Sequence, residues 1–260
     1  MKPKVILVFG LPGTGKTHLS NLLKSRFGIQ AVVFNGDILR HRFNDWDFSI
    51  DGRKRQLDRM VTAAKEATEN GYHTILDFVC PLNEFRELLN PDILVYCDRT
   101  PARNFEDTTA LFEKPLWYDY QTTDQTNVDQ LVDDIYLDIK DNEFDHSAPT
   151  GLMIGRYQPF HGGHKALFEK ALEKHGQVCI AVRDMPRDEK NPYPAFDVVA
   201  NIRRQLIEHA GKFLVAVVPN IVDVVYGREV GWTVSKIDLP PEIEAISATK
   251  IRSGEIENKL

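Results

Sequence analysis

Two short strings in this sequence hold residue types that handle phosphate. Gly10 to Thr17 reads GLPGTGKT and fits G-x-x-x-x-G-K-[ST] in full. Gly10, Gly13, Thr14 and Gly15 would let backbone N–H groups turn inward around phosphate oxygens. A helix starting there adds partial positive charge. Lys16 would reach the β- and γ-phosphates of ATP, and Thr17 would hold Mg²⁺. Gly155 to His164 reads GRYQPFHGGH. His161 and His164 stand three apart, on one side of a helix start, so both can donate to the oxygens of an α-phosphate under attack. No third Cys or His sits at the spacing a zinc site needs. Further on, Ile246 to Arg252 reads ISATKIR. Ser247, Thr249 and a helix N-terminus suit an anion, while Arg252 and Lys250 would neutralise departing pyrophosphate.

Between the two strings lie candidates for holding a phosphoryl acceptor. Asp37, at a strand's end, can accept a hydroxyl proton or orient Mg²⁺. Arg40, Arg53 and Arg59 can clamp an anionic acceptor through forked hydrogen bonds. Phe48 and Phe78 offer apolar faces to a planar ring. The competing reading of these arginines is a solvated helix face carrying surface ion pairs. Cys80 has no His or metal-ligand pattern near it, which points to a buried structural thiol.

These residues need strands and helices to position them. Val5 to Phe9, VILVF, is a continuous apolar run of the kind buried on both faces of a parallel sheet. Leucines at 19, 22 and 23 predict a helix from His18 to Phe27, and apolar residues from Leu57 to Ala67 predict another from Arg55 to Asn70. Ala31 to Phe34, His73 to Val79 and Ile93 to Cys97 read as strands, and Val128 to Ile139 as a closing helix. Asp141 to Thr150 is polar and ends in Ala-Pro-Thr, as a linker does. The alternation then restarts, with strands at Leu152 to Ile154, Val178 to Val182 and Phe213 to Val218. Helices are expected at Lys165 to Lys174 and Val198 to His209. The expected fold class is α/β: a phosphate-loop NTPase-type parallel-sheet domain over residues 1–145, then a smaller Rossmann-like domain over 150–260.

The first hundred residues resemble the adenylylsulfate kinases. Asn35-Gly36-Asp37 with Arg40 is similar to that family's D-G-D-x-x-R. Phe48-Ser49 with Arg53, Gln56 and Arg59 is similar to its G-F-S…R-x-x-N-x-x-R, and Phe78-Val79-Cys80-Pro81 with Arg86 to its F-I-S-P…R. The resemblance implies that Arg40, Phe48, Arg53, Gln56, Phe78 and Cys80 line a sulfonucleotide pocket, with Asp37 at the reacting hydroxyl. Asn35, Gln56 and Cys80 depart from the pattern, and the family's lid segment is only echoed by Leu111 to Lys114. From Gly151 to Gly254 the chain resembles H-x-G-H nucleotidyltransferases, with G-R-[FY]-Q-P-F-H matching the nicotinamide-nucleotide adenylyltransferases. That implies triphosphate contacts from Gly155, Arg156, His161 and His164, and from an I-S-x-T-x-x-R segment ending at Arg252.

The expected function is therefore a bifunctional transferase. One half phosphorylates adenylylsulfate or a similar hydroxyl acceptor from Mg-ATP. The other moves an adenylyl or cytidylyl group from ATP or CTP to a small phosphate acceptor. A nicotinamide riboside kinase joined to a mononucleotide adenylyltransferase is a second reading, and a nucleotide-binding regulator with decayed sites a third. The net charge of −6 argues against nucleic acid as the main partner. No run is long enough to span a membrane, and three scattered cysteines fit a cytoplasmic protein. A homo-oligomer stays open. The 183–194 loop would close over substrate, while Tyr226-Gly227-Arg228 and Gly231-Trp232 suit either base stacking or a surface turn.

Overall fold

The computed structural model describes residues 2–101, 105–225, 227, 231 and 233–258. The chain divides into two compact units, Met1–Tyr136 and Leu137–Leu260.

In the first unit five parallel strands form a sheet: β1 (Val5–Phe9), β2 (Ala31–Asn35), β3 (His73–Asp77), β4 (Ile93–Cys97) and β5 (Tyr120–Thr122). Their order is β2-β3-β1-β4-β5. The apolar run of β1 thus lies between neighbours, with Ile6 to Phe9 fully buried. From β1 the chain departs outward past β3 to β2, whereas from β3 it departs past β1 to β4. Connections that leave adjacent strands in opposite directions open a crevice at their carboxyl ends, the usual ligand position in an open parallel sheet. Register brings Asn35 opposite Asp77, and Asp77 beside Val8, all at this edge.

Helix α1 (Lys16–Phe27) begins two residues before the predicted start, with Gly15 as its left-handed N-cap. It buries Leu19, Leu23 and Phe27 against the sheet. The short helix α2 (Gly36–Phe43) is capped by Asn35. Helix α3 (Ile50–Glu69) starts five residues before the expected Arg55, because the Ser49 hydroxyl accepts from the Gly52 N–H at 3.2 Å. The third strand stops at Asp77 rather than Val79, since its partner β2 ends opposite it at Asn35 and turns into α2 at Gly36. Then come α4 (Asn83–Leu89), α5 (Glu106–Leu111) and α6 (Val128–Asp141). Phe9, Leu57, Met60, Leu76 and Leu94 form the core.

The second unit has three parallel strands, β6 (Gly151–Gly155), β7 (Val178–Arg183) and β8 (Phe213–Val218), in that order across the sheet. They are joined by α7 (Gly162–His175) and α8 (Ala195–Gln205), and followed by two single-turn helices, α9 (Pro241–Glu244) and α10 (Ala248–Arg252). Its core holds Leu137, Met153, Phe160, Phe168, Ile180, Ile202 and Phe213. Both halves are thus α/β with parallel sheets. No helix among the described residues is long and apolar enough to cross a membrane.

Candidate functional site

The loop from Gly10 to Gly15 joins β1 to α1. Gly10 has φ +146°, and a Cβ there would lie 2.4 Å from the Cys97 carbonyl oxygen, so only glycine fits. The buried Thr14 hydroxyl donates to the Leu11 carbonyl at 2.8 Å, bracing the loop from within. The Lys16 ammonium donates to the same carbonyl, also at 2.8 Å. Burial lowers the pKa of Lys16 most strongly, against the attraction of Asp77, Cys97 and Asp37. Gly13, Lys16 and Thr17 face a cavity of about 770 Å³.

Across the crevice the cavity is lined by Asp37, Arg40, Phe48, Arg53, Gln56, Asp77, Phe78 and Cys80. Asp77 belongs to no motif legible in the sequence. It is 1% exposed, accepts a hydrogen bond from Asn35 at 2.6 Å, and has the Thr17 hydroxyl beside it. Burial raises its pKa, opposed by Thr17, Asn35 and Lys16. The available signal was its place as the last residue of an apolar strand, HTILD.

The donor set here suits Mg²⁺. The Thr17 hydroxyl and the carboxylates of Asp37 and Asp77 are hard oxygen ligands on one cavity beside Lys16. Among the described residues no group of three or more His, Cys, Asp or Glu side chains forms a metal cage. A metal that takes its other ligands from phosphates and water fits this arrangement.

The arginines divide into two sets. Arg40 donates to the carbonyls of Asp45 and Asp47, at 3.1 and 2.9 Å. Arg53 donates to the Phe48 carbonyl and the Thr108 hydroxyl, both at 2.9 Å. Their guanidinium carbons lie 4.6 and 5.6 Å from the centroid of the half-exposed Phe48 ring. They therefore line the cavity and also hold the loop that presents Phe48. Arg59 does not reach the cavity lining: it pairs with Asp45 at 2.6 Å and lies over Phe43, which is the surface-pair reading of that residue. Arg86 is buried elsewhere, donating to the Pro81 and Glu113 carbonyls and to Asn83. Gln56 lines the cavity with both amide ends engaged, one on the Gly36 carbonyl and one with Arg59. Burial pushes the Cys80 thiol up to about 12.

In the second unit His161 is the N-cap of α7, its Nδ1 accepting from the Gly163 N–H at 3.2 Å. The proton of a neutral His161 thus resides on Nε2, which is left as a donor. The two imidazoles stack with centroids 3.7 Å apart. His164 is packed edge-on by Tyr157 and face-on by Phe160, and its buried Nδ1 has no partner among the described residues. Burial, then the neighbouring His161, pushes its pKa down to about 3. A Cβ on Gly155 would lie 2.7 Å from the Tyr157 ring, so Gly155 makes room for the wall of His164. Arg252 donates to the Gln158 carbonyl, tying α10 to the loop before His161. The Ser247 hydroxyl caps α10 through Thr249 N–H, and the Thr249 hydroxyl accepts from Arg252. Arg156 and Lys250 are exposed. In the 183–194 loop the Gln158 amide clamps Tyr193, donating to its carbonyl and accepting from its N–H, at 2.8 and 3.0 Å. Tyr226, Arg228 and Trp232 lie outside the described residues.

Residues 2–101 match the adenylylsulphate kinase family model, and residues 152–219 match the cytidylyltransferase-like family model. The first half is adenylylsulfate-kinase-like and the second cytidylyltransferase-like. An adenylyl-sulfate kinase of Bacillus pumilus is 30% identical over 125 residues, covering 44% of this chain and 63% of that protein. One of Bacillus velezensis is 31% identical over the same length and shares. The chain thus spans less than two thirds of the curated relatives it matches. The solved APS kinase CysC of Mycobacterium tuberculosis, in complex with AMPPNP and APS, is 23% identical, with a TM-score of 0.44 over 52% of this chain and 95% of that one.

Proposed function

We propose that the chain is a bifunctional transferase, with a kinase domain within 1–145 and a nucleotidyltransferase domain within 150–260. One observation carries the kinase reading: Lys16, Thr17, Asp37 and Asp77 share a single cavity with Arg40, Phe48, Arg53 and Phe78. Lys16 and the loop amides would bind the β- and γ-phosphates of ATP. Thr17 with Asp77 or Asp37 would hold Mg²⁺, whose positive charge would offset that of the phosphates. Phe48 and Phe78 would receive a planar base, Arg40 and Arg53 its anionic group, and Asp37 the proton of the acceptor hydroxyl. Adenylylsulfate has all three features, and the family match supports it as the acceptor.

In the second domain the His161 and His164 pair would donate to the oxygens of an attacked α-phosphate, and Arg252 would counter the leaving pyrophosphate. The acceptor carries a phosphate, and ATP and CTP are both candidate donors, the latter supported by the cytidylyltransferase-like match. The three cysteines are free thiols, which supports a reducing cytoplasmic setting.

The test is ADP formation from Mg-ATP with and without adenylylsulfate, with Lys16→Ala as the blank. The reading predicts release that requires adenylylsulfate and vanishes in the variant. ATP binding without stimulation would overturn this acceptor and bring nicotinamide riboside forward. For the second domain, pyrophosphate release is measured from ATP and CTP with defined phosphate acceptors, against His161→Ala. Tight nucleotide binding without turnover in either assay would favour a regulator.

A further inference from the structure

Asn35 ends β2, and register sets it directly opposite Asp77. Its side chain faces two ways. The Oδ1 accepts from the N–H groups of Asp37 and Ile38, at 3.0 and 3.1 Å, capping the helix that carries Asp37. The Nδ2 donates to Asp77 Oδ2 at 2.6 Å and lies 3.5 Å from Thr17 Oγ1. The Thr17 hydroxyl also sits beside Asp77. One carboxamide therefore touches the phosphate loop, the carboxylate at the end of β3 and the start of α2.

We propose that Asn35 is a positioning residue of the kinase centre, fixing the Asp77 carboxylate and the Thr17 hydroxyl at one end and the Asp37 helix at the other, so that divalent-cation binding depends on nucleotide. The proposal rests on the kinase reading above and deepens it. An amide alone supplies an acceptor and two donors at this length. Aspartate would keep the cap, since it is as good an N-cap as asparagine. It has no hydrogen to give Asp77, and would set a second carboxylate oxygen against Oδ2. Alanine would lose both ends. With asparagine the centre sets Asp37 and Asp77 against Lys16, and a cation must draw its remaining ligands from phosphates. With aspartate a third carboxylate would join them, and the protein could hold the cation alone.

The experiment uses the full chain with Asn35→Asp and Asn35→Ala. Mn²⁺ binding is followed by electron paramagnetic resonance, alone and with a nonhydrolysable ATP analogue, alongside kcat, KM and the thermal midpoint. For N35D we expect a midpoint lowered by the carboxylate pair and recovered on adding Mn²⁺, and about tenfold or greater gain in nucleotide-free Mn²⁺ affinity. We expect its kcat to fall about 10–100-fold, the usual effect of losing an outer hydrogen-bond partner, with little change in KM for ATP. N35A should lose midpoint and kcat without gaining Mn²⁺ affinity. Wild-type Mn²⁺ affinity and kcat in N35D would overturn the proposal and leave Asn35 as a cap only. Should N35D fail to fold, the wild-type Asn35 Nδ2 protons decide it: slow solvent exchange supports the bond to Asp77, and free exchange overturns it. The Mn²⁺ arm needs no turnover, so a wrong acceptor would sink the adenylylsulfate assignment without touching this proposal.

Discussion

The His164 imidazole sets a pH dependence of stability that can be worked out in sign and size. Its pKa is pushed from 6.5 to about 3 by burial and by His161. The folded chain then binds no proton at His164 between about pH 6.5 and pH 3, while the unfolded chain does. Unfolding free energy therefore falls as pH drops below 6.5, and the contribution is absent above it. From the linkage relation the loss is about 1.4 kcal/mol at pH 5.5 and about 2.7 kcal/mol at pH 4.5. For a unit of this size, the loss at pH 5.5 corresponds to roughly 4–8 °C in midpoint. His164→Gln keeps a polar side chain of similar reach and cannot titrate. Calorimetric scans of the full chain at pH 7.5 and 5.5 should show a transition that moves about 4–8 °C further in wild type than in the variant. Direct titration of the His164 ring protons by NMR checks the cause. Parallel shifts in both proteins, or a ring titrating near 6.5, would refute the reasoning.

Three further perturbations each act on a single contact. Gly155→Ala drives a Cβ to 2.7 Å from the Tyr157 ring, and overpacking of this kind should destabilise the chain by about 1–3 kcal/mol in denaturant titrations. Asp77→Asn keeps the shape of the group that bonds Asn35 beside Thr17 but removes its charge, so kcat of the kinase should drop about 10–100-fold, and a change under threefold would remove Asp77 from the centre. With the Cys80 thiol near 12, about one molecule in ten thousand carries the thiolate at pH 8, so iodoacetamide should leave Cys80 unlabelled in the folded protein while labelling it in urea.

What the sequence reveals of this molecule follows how local each feature is. The phosphate loop and the histidine pair are contiguous strings whose glycines and spacing dictate their own geometry, so they are legible without a fold. The long strands and helices show their period within a few residues. Asp77 is different: a lone aspartate at the end of an apolar strand means little until register sets it beside Val8 and opposite Asn35. Arg59 and Arg86 fail in the opposite sense. Both carry the same forked cation as Arg40 and Arg53, but helical phase turns Arg59 toward Asp45, and Arg86 is held by the Pro81 and Glu113 carbonyls. Helices α3 and α7 start ahead of the Arg55 and Lys165 that their apolar stripes predict, because a single cap, Ser49 or His161, extends each beyond its stripe.

The two candidate centres oppose the charge of their own phosphate-binding groups. Burial lowers the pKa of Lys16, whose ammonium rests on the Leu11 carbonyl, and keeps both His161 and His164 neutral. A cation desolvated in this way is worth more to an incoming anion than one in water, because water no longer screens the pair. It is also held in place beforehand: Thr14 braces the carbonyl that Lys16 touches, and Gly163 N–H fixes the tautomer of His161. For His164 a triphosphate alongside should oppose the burial, favouring the protonated ring that Tyr157 and Phe160 disfavour. Protonation of His164 is then linked to an anion's arrival, and Gly155 enters that linkage through the space it leaves for Tyr157 in the wall of His164.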